Sequence, residues 1–225
     1  VAGPDDTEVA ARGSVIKAVL FDIGGVLTTG PFEGFADYER ETGLPAGLIR
    51  QMNSTNPDTN AWATFERGEV DFAAFCDLFE SEAGALGHVV DARAVMAGMR
   101  GGLRPEMVDA VRFCRGRFKT AALTNNFVAT GTERQEDVPS LFEGLFDVVI
   151  ESSKVGVRKP DPRFYEMACR ALAVEPTESV FLDDLGINLK PARLMGMHTI
   201  KVVAADQALR ELYSVLGVAP DGWGG

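Results

Sequence analysis

The sequence has little of what staples or metallates small domains. Its 225 residues include only three cysteines and two histidines. Cys76, Cys114 and Cys169 are far apart, odd in number and form no CxxC pair, which argues against a disulfide framework and a thiolate zinc site and fits a reduced, cytoplasmic setting. His88 and His198 read as an ordinary loop residue and a residue just before a strand. Positive charge is also short. Against 33 acidic side chains stand 22 basic ones, a formal net charge of −11, which disfavours nucleic acid and an anionic membrane surface as partners. No apolar run nears the roughly 20 residues of a membrane-spanning helix; Ala121-Ala122-Leu123 and Val148-Val149-Ile150 are interrupted after a few positions. Glycine, by contrast, is abundant at 24 residues. With 46% hydrophobic and 24% charged residues the composition is that of a globular chain, and the length suits one large domain or one domain carrying an insertion.

Val1 to Ser14 is polar and acidic, without the basic start and apolar stretch of a signal peptide, and is expected to be a tail, as is 217–225. Between them, Val15–Phe21, Phe118–Leu123, Phe146–Ile150, Ser179–Leu182 and Thr199–Val203 have the short apolar pattern of buried strands. Helical patterns lie between them. Pro105–Gly116 opens with proline in a first-turn position, and Asp161–Leu172 follows Asp161-Pro162 with Phe164, Met167, Ala168 and Leu172 near helical spacing. Strands alternating with helices predict an α/β fold with a doubly wound, parallel, Rossmann-like sheet. The stretch 31–103 has no convincing strand but shows helical patterns around Phe35–Thr42, Ala61–Arg67, Phe72–Glu82 and Ala92–Met99. It is expected to be a helical insertion after the first strand.

Ligands of such sheets bind beyond the carboxyl ends of the strands, so the residues just past each strand matter most. The first strand runs into Asp22-Ile23-Gly24-Gly25-Val26-Leu27-Thr28 and the second ends in Thr124-Asn125-Asn126. Lys159 lies in Gly156-Val157-Arg158-Lys159-Pro160-Asp161-Pro162, where Pro160 enforces a loop. The fourth strand runs into Phe181-Leu182-Asp183-Asp184-Leu185-Gly186-Ile187-Asn188. Singly, each has an ordinary reading as a turn, a cap or a solvated surface. Adjacent carboxylates after an apolar strand, however, are costly unless a cation neutralises them, and an all-oxygen site with open positions suits Mg²⁺. Together, the topology would converge all four on one cleft.

In this order, Asp, Thr, Lys and an acidic pair, the sequence resembles the haloacid dehalogenase superfamily over about Val15 to Leu216. Within it, the phosphatase-like N-terminal domains of soluble epoxide hydrolases and of acyl-CoA dehydrogenase fusion proteins are the most similar. The resemblance implies an α/β core over 15–30 and 104–216 with a helical cap over 31–103. It further implies a phosphatase of a small phosphate monoester. Asp22 would attack phosphorus to form an aspartyl-phosphate, Thr124 and Asn125 would hold phosphoryl oxygens, and Lys159 would neutralise charge and orient the nucleophile. Mg²⁺ would lie among Asp22, the main-chain carbonyl of Gly24 and Asp184. Asp183 would either ligate as well or orient a metal-bound water, with Asn188 buttressing Lys159 or the metal site.

The sequence departs from the family pattern at Gly24, where phosphatases of the family carry a second Asp that protonates the leaving alcohol. A group from the insertion, Glu33, Asp58 or Glu66, could replace it; otherwise the enzyme is slow or specialised, or the domain is catalytically silent and binds a phosphometabolite or a protein partner. A 2-haloacid dehalogenase fits less well because its fourth motif is not an acidic pair. A phosphonoacetaldehyde hydrolase needs an insertion lysine, and 31–103 has none. A receiver domain would need a different order of the same residues. Most insertion aromatics have the spacing of core residues, but Trp62, next to the polar stretch 56–60, is the candidate aromatic facing substrate. Arg40, Arg50 and Arg67 are candidates for a second anionic group.

Overall fold

The computed structural model describes residues 15–99, 101–127 and 144–218, so the N-terminal tail and most of the C-terminal one lie outside the described residues. Five parallel strands form one sheet: β1 (Ala18–Phe21), β2 (Lys119–Thr124), β3 (Val148–Glu151), β4 (Ser179–Asp183) and β5 (His198–Lys201), in the order β3-β2-β1-β4-β5. β1 is central, with Ala18 beside Lys119 on one side and Ser179 on the other. All four of its residues are fully buried, as expected for a strand covered on both faces.

Side chains alternate across that strand. Val19 and Phe21 join a cluster with Met107 and Val111 of α6 (Pro105–Arg115) and Ala208 and Leu212 of α10 (Ala205–Leu216). Ala18 and Leu20 face the other way, onto Phe164, Tyr165 and Ala168 of α8 (Pro162–Leu172) and Leu189 of α9 (Gly186–Leu194). In α8, Pro162 occupies the first turn, Asp161 accepts a hydrogen bond from the Arg163 N–H, and Phe164, Tyr165, Ala168, Cys169 and Leu172 make a continuous buried stripe. Burying a side chain such as Phe164 contributes roughly 1.5–3 kcal/mol. The result is the doubly wound α/β architecture predicted from the sequence.

Between β1 and α6 lie five helices: α1 (Phe32–Thr42), α2 (Leu48–Ser54), α3 (Ala61–Glu66), α4 (Phe72–Ala85) and α5 (Ala92–Ala97). They enclose an apolar cluster of their own, built on Phe35, Ile49, Phe65, Phe75, Phe79 and Val95. The short α2 starts from a left-handed Gly47, and the buried Glu39 carboxylate accepts from the Gly47 and Ile49 N–H groups at 2.6 and 2.9 Å. That carboxylate at a helix N-terminus offsets the weak propensity of a seven-residue helix. The segment leaves and rejoins the sheet layer at one place: Thr28 and Leu103 form an antiparallel bridge, and the Arg104 N–H donates to Leu27 at 2.8 Å. A four-residue α7 (Ser152–Val155) follows β3. No helix among the described residues is long and apolar enough to cross a membrane.

Candidate active site

Asp22, Thr124 and Asp183 end or follow β1, β2 and β4 at the carboxyl edge of the sheet, and Lys159 reaches the same point from the loop before α8. At the centre, the Lys159 ammonium lies 2.7 Å from Asp22 Oδ1 and 2.8 Å from Asp183 Oδ2. Lys159 is only 1% exposed and Asp183 fully buried, so these charges persist only by pairing. Burial alone would push the ammonium down, but Asp183 and Asp22 outweigh it and its pKa lies above the ordinary lysine value. Lys159 is therefore held as a cation.

Asp183 has no oxygen left over. Its Oδ1 accepts from the Leu185 N–H at 2.8 Å and both oxygens face Asn188 Nδ2 at 3.1 Å, while the Asn188 carbonyl accepts from the Tyr165 hydroxyl at 2.6 Å. Asn188 thus braces Asp183, and Asp183 braces Lys159. Asp184, one residue beyond the strand, is partly exposed. Its carboxyl is pushed up to about 6, by partial burial and then by Asp183, with Lys159 and Arg104 opposing. Burial raises Asp22 as well, with Asp183 and Asp184 adding to the shift and Lys159 opposing it.

Carboxylate oxygens of Asp22, Asp183 and Asp184 lie within 4.8 Å of one another. Three carboxylates facing one ammonium leave an excess of negative charge, which adds to burial in making Asp22 and Asp184 hard to ionise. An all-oxygen donor set with this excess fits a hard divalent cation such as Mg²⁺. The loop after Asp22 is shaped around the same cluster. Gly25 has φ +75°, and a Cβ on it would lie 2.4 Å from the Asp184 carboxylate, so only glycine fits. At Gly24, by contrast, a Cβ would meet nothing within 4 Å.

Asn125 binds both main-chain groups of Lys159: its Nδ2 donates to the Lys159 carbonyl at 3.0 Å and its Oδ1 accepts from the Lys159 N–H at 2.9 Å. Thr124, beside it, is buried. Trp62 packs edge-on against Phe35 and Phe75 inside the helical segment, 5.9 and 5.4 Å between centroids, and its indole N–H donates to Glu66 at 2.9 Å. Glu66, in turn, pairs with Arg158, and burial raises its carboxyl, with Arg158 and Trp62 opposing. Asp58 is exposed, and the side chain of Glu33 lies outside the described residues. Arg40 pairs with Asp37, Arg67 with Glu69, and Arg50 lies over the Phe32 ring. Sequence reading missed Arg104, which donates to the Gly25 carbonyl at 2.8 Å, and Tyr165. Arg104 acts across 79 residues of chain, and Tyr165 is indistinguishable in sequence from any core aromatic.

Residues 16–196 match the sequence family of haloacid dehalogenase-like hydrolases, and the chain belongs to that family. It is 35% identical over 216 residues to Acyl-CoA dehydrogenase family member 10 of Mus musculus, covering 91% of this chain and 20% of that protein. To Bifunctional epoxide hydrolase 2 of Sus scrofa it is 31% identical, over 90% of this chain and 39% of that one. The chain therefore spans about a fifth to two fifths of these two relatives. Phosphatase MT3486 of Mycobacterium tuberculosis matches end to end, 32% identical over 93% of this chain and 99% of its own length. Among solved structures, a haloacid dehalogenase family enzyme of Bacteroides thetaiotaomicron in a magnesium complex superposes with a TM-score of 0.60 at 20% identity, covering 90% of this chain and 99% of its own. L-2-haloacid dehalogenase of Xanthobacter autotrophicus does so at 0.57 and 22% identity, over 92% and 85%. These likenesses establish the fold and the hydrolase family, which includes phosphatases.

Proposed function

We propose that this chain is a Mg²⁺-dependent phosphatase acting on a small phosphate monoester through an aspartyl-phosphate on Asp22. The observation that carries this reading is the Asp22–Lys159–Asp183 chain of contacts at 2.7 and 2.8 Å, with Asp184 beside it. Asp22, the Gly24 carbonyl and Asp184 would hold Mg²⁺, whose contribution when bound is neutralisation of the charge that builds where an anion attacks an anion.

The remaining work falls to the chain itself. Lys159, fixed by Asp183, keeps one Asp22 oxygen in place, leaving the other to attack phosphorus. Thr124, the last residue of β2, binds a phosphoryl oxygen from a rigid strand, whereas the Asn125 side chain, expected to do the same, is spent on the Lys159 main chain and acts by holding it. Asp183 acts by holding Lys159. Phosphoryl transfer asks chiefly for positioning and charge stabilisation, which this set supplies. The segment 31–103 is read as a cap over the core of 15–30 and 104–216. The three cysteines are free thiols, in keeping with a cytoplasmic setting. The net charge of −11 disfavours nucleic acid and an anionic membrane as partners, whereas Lys159 supplies local positive charge for a small phosphate.

Gly24 favours a second reading, a silent domain that binds a phosphorylated ligand, because no acid stands two residues after Asp22. Hydrolysis of p-nitrophenyl phosphate separates the two. Turnover that needs Mg²⁺ and disappears in Asp22→Asn supports the phosphatase; turnover indifferent to both a chelator and Asp22→Asn refutes it. Asp183 and Asp184 weigh against a dehalogenase.

A further inference from the structure

Among the described residues, the helical segment meets the core at a largely buried ion pair. Glu66, at the end of α3 and 8% exposed, brings Oε2 to 2.9 Å from Arg158 Nε in the loop carrying Lys159. Neither atom has an aligned hydrogen-bond partner, so charge holds the contact rather than hydrogen-bond geometry. The other Glu66 oxygen accepts from Trp62 Nε1 at 2.9 Å, and Arg158 Nη1 reaches back to the Pro57 carbonyl at 3.2 Å. Beside this pair, Phe65 of α3 stacks on Phe127 at 4.7 Å.

Adhesion alone does not account for the pair. A buried ion pair adds little net stability over apolar packing of similar volume, and the stacked rings already supply that packing. The pair does stand directly on the machinery: Arg158 is bonded in sequence to Lys159, whose main-chain N–H and carbonyl are both held by Asn125. Burial, opposed by Arg158, Trp62, Lys159 and Asn125, pushes the Glu66 carboxyl upward. The carboxylate is therefore sensitive to whether those donors are in place.

We infer that Glu66 is a positioning residue: when the helical segment is docked, its carboxylate seats Arg158, and through it the adjoining Lys159 main chain, clasped by Asn125, that aims the ammonium at Asp22. This rests on the phosphatase reading for its kinetic readout alone. Nucleophile alignment is thereby coupled to docking of the segment above it.

The test uses the full chain as Glu66→Gln, Arg158→Met and the double variant, with Glu39→Gln as a control that removes a buried carboxylate confined to the helical segment. With p-nitrophenyl phosphate, each of the two single variants is expected to lower kcat about tenfold with KM within about twofold, and the double variant to be no slower than either, since both remove one link. The Lys159 amide proton, which donates to Asn125 Oδ1, is expected to exchange about tenfold faster in Glu66→Gln by NMR. In Glu39→Gln both kcat and that amide remain as in the parent, even with a lowered Tm. A parent-like kcat in Glu66→Gln, a parent-like Lys159 amide, or losses that multiply in the double variant would each overturn the inference. If the parent chain hydrolyses no phosphate, the phosphatase reading fails separately, and the amide readout alone decides the positioning role.

Discussion

Replacing Gly24 with Asp restores a proton donor where this chain has none, and the structure makes the substitution admissible. The backbone there is outside the left-handed region, and the new Cβ has no heavy atom within 4 Å. The added carboxyl would join Asp22, Asp183 and Asp184, which share a single ammonium. Like charges raise its pKa, which suits an acid that must hold a proton near neutral pH. General acid catalysis contributes about 10²–10⁴-fold, or about 2.7–5.5 kcal/mol of barrier. A grafted group without supporting hydrogen bonds belongs at the lower end, so kcat for an alkyl phosphate should rise about 10²-fold. An aryl phosphate, whose leaving group departs readily as the anion, should gain only a few-fold. Paired kinetics on the two substrates, with Gly24→Asn as an isosteric side chain that cannot give a proton, measure the difference. Equal acceleration of both substrates, acceleration by Asn as well, or none in a folded Gly24→Asp variant would refute the idea that a missing acid limits the rate.

Lys159→Met should abolish hydrolysis and, because it leaves Asp22 and Asp183 buried without their partner, destabilise the chain by about 3–5 kcal/mol in urea unfolding with a chelator present; a loss under about 1 kcal/mol contradicts the ion-pair account. Mg²⁺ binding should tighten with pH. The folded Asp184 carboxyl, at about 6, lies above its usual 3.8, so the metal-free chain loses this group's contribution to stability as pH rises from about 4 to about 6. Mg²⁺ takes only the ionised form, and its affinity, read as a thermal shift, should be roughly tenfold higher at pH 7 than at pH 5. A flat profile, or a shift retained in Asp184→Asn, would remove Asp184 from the metal site.

The sheet was legible because each strand is a short apolar run between turn residues, and the site because strand ends converge in a parallel fold. Boundaries moved by a few residues: Val15 to Lys17 precede β1, and β4 extends to Asp183. Helices were lost where local signals conflict. α9 contains Pro191, α2 has only seven residues and depends on Glu39 from another helix, and α10, which buries Ala208, Leu212 and Tyr213, starts after Ala204 without a side-chain cap. Within the acidic pair, spacing cannot say which member is free. Asp183 belongs to the buried strand and is spent on Lys159 and Asn188, whereas Asp184 lies past the strand end. Contacts such as Arg104 with Gly25, or Glu66 with Arg158, join residues remote in sequence and leave no local trace.

The bridge between Thr28 and Leu103 makes the helical segment a plug-in module. Its incoming and outgoing chains lie side by side, so the distance the sheet must span is the same whatever is spliced between them. The five strands make no covalent demand on the length or shape of that insert. An insert of another length or shape could therefore replace this one while Asp22, Thr124, Lys159, Asp183 and Asp184 stay on the unchanged scaffold; the Glu66 contact with Arg158 would go with it.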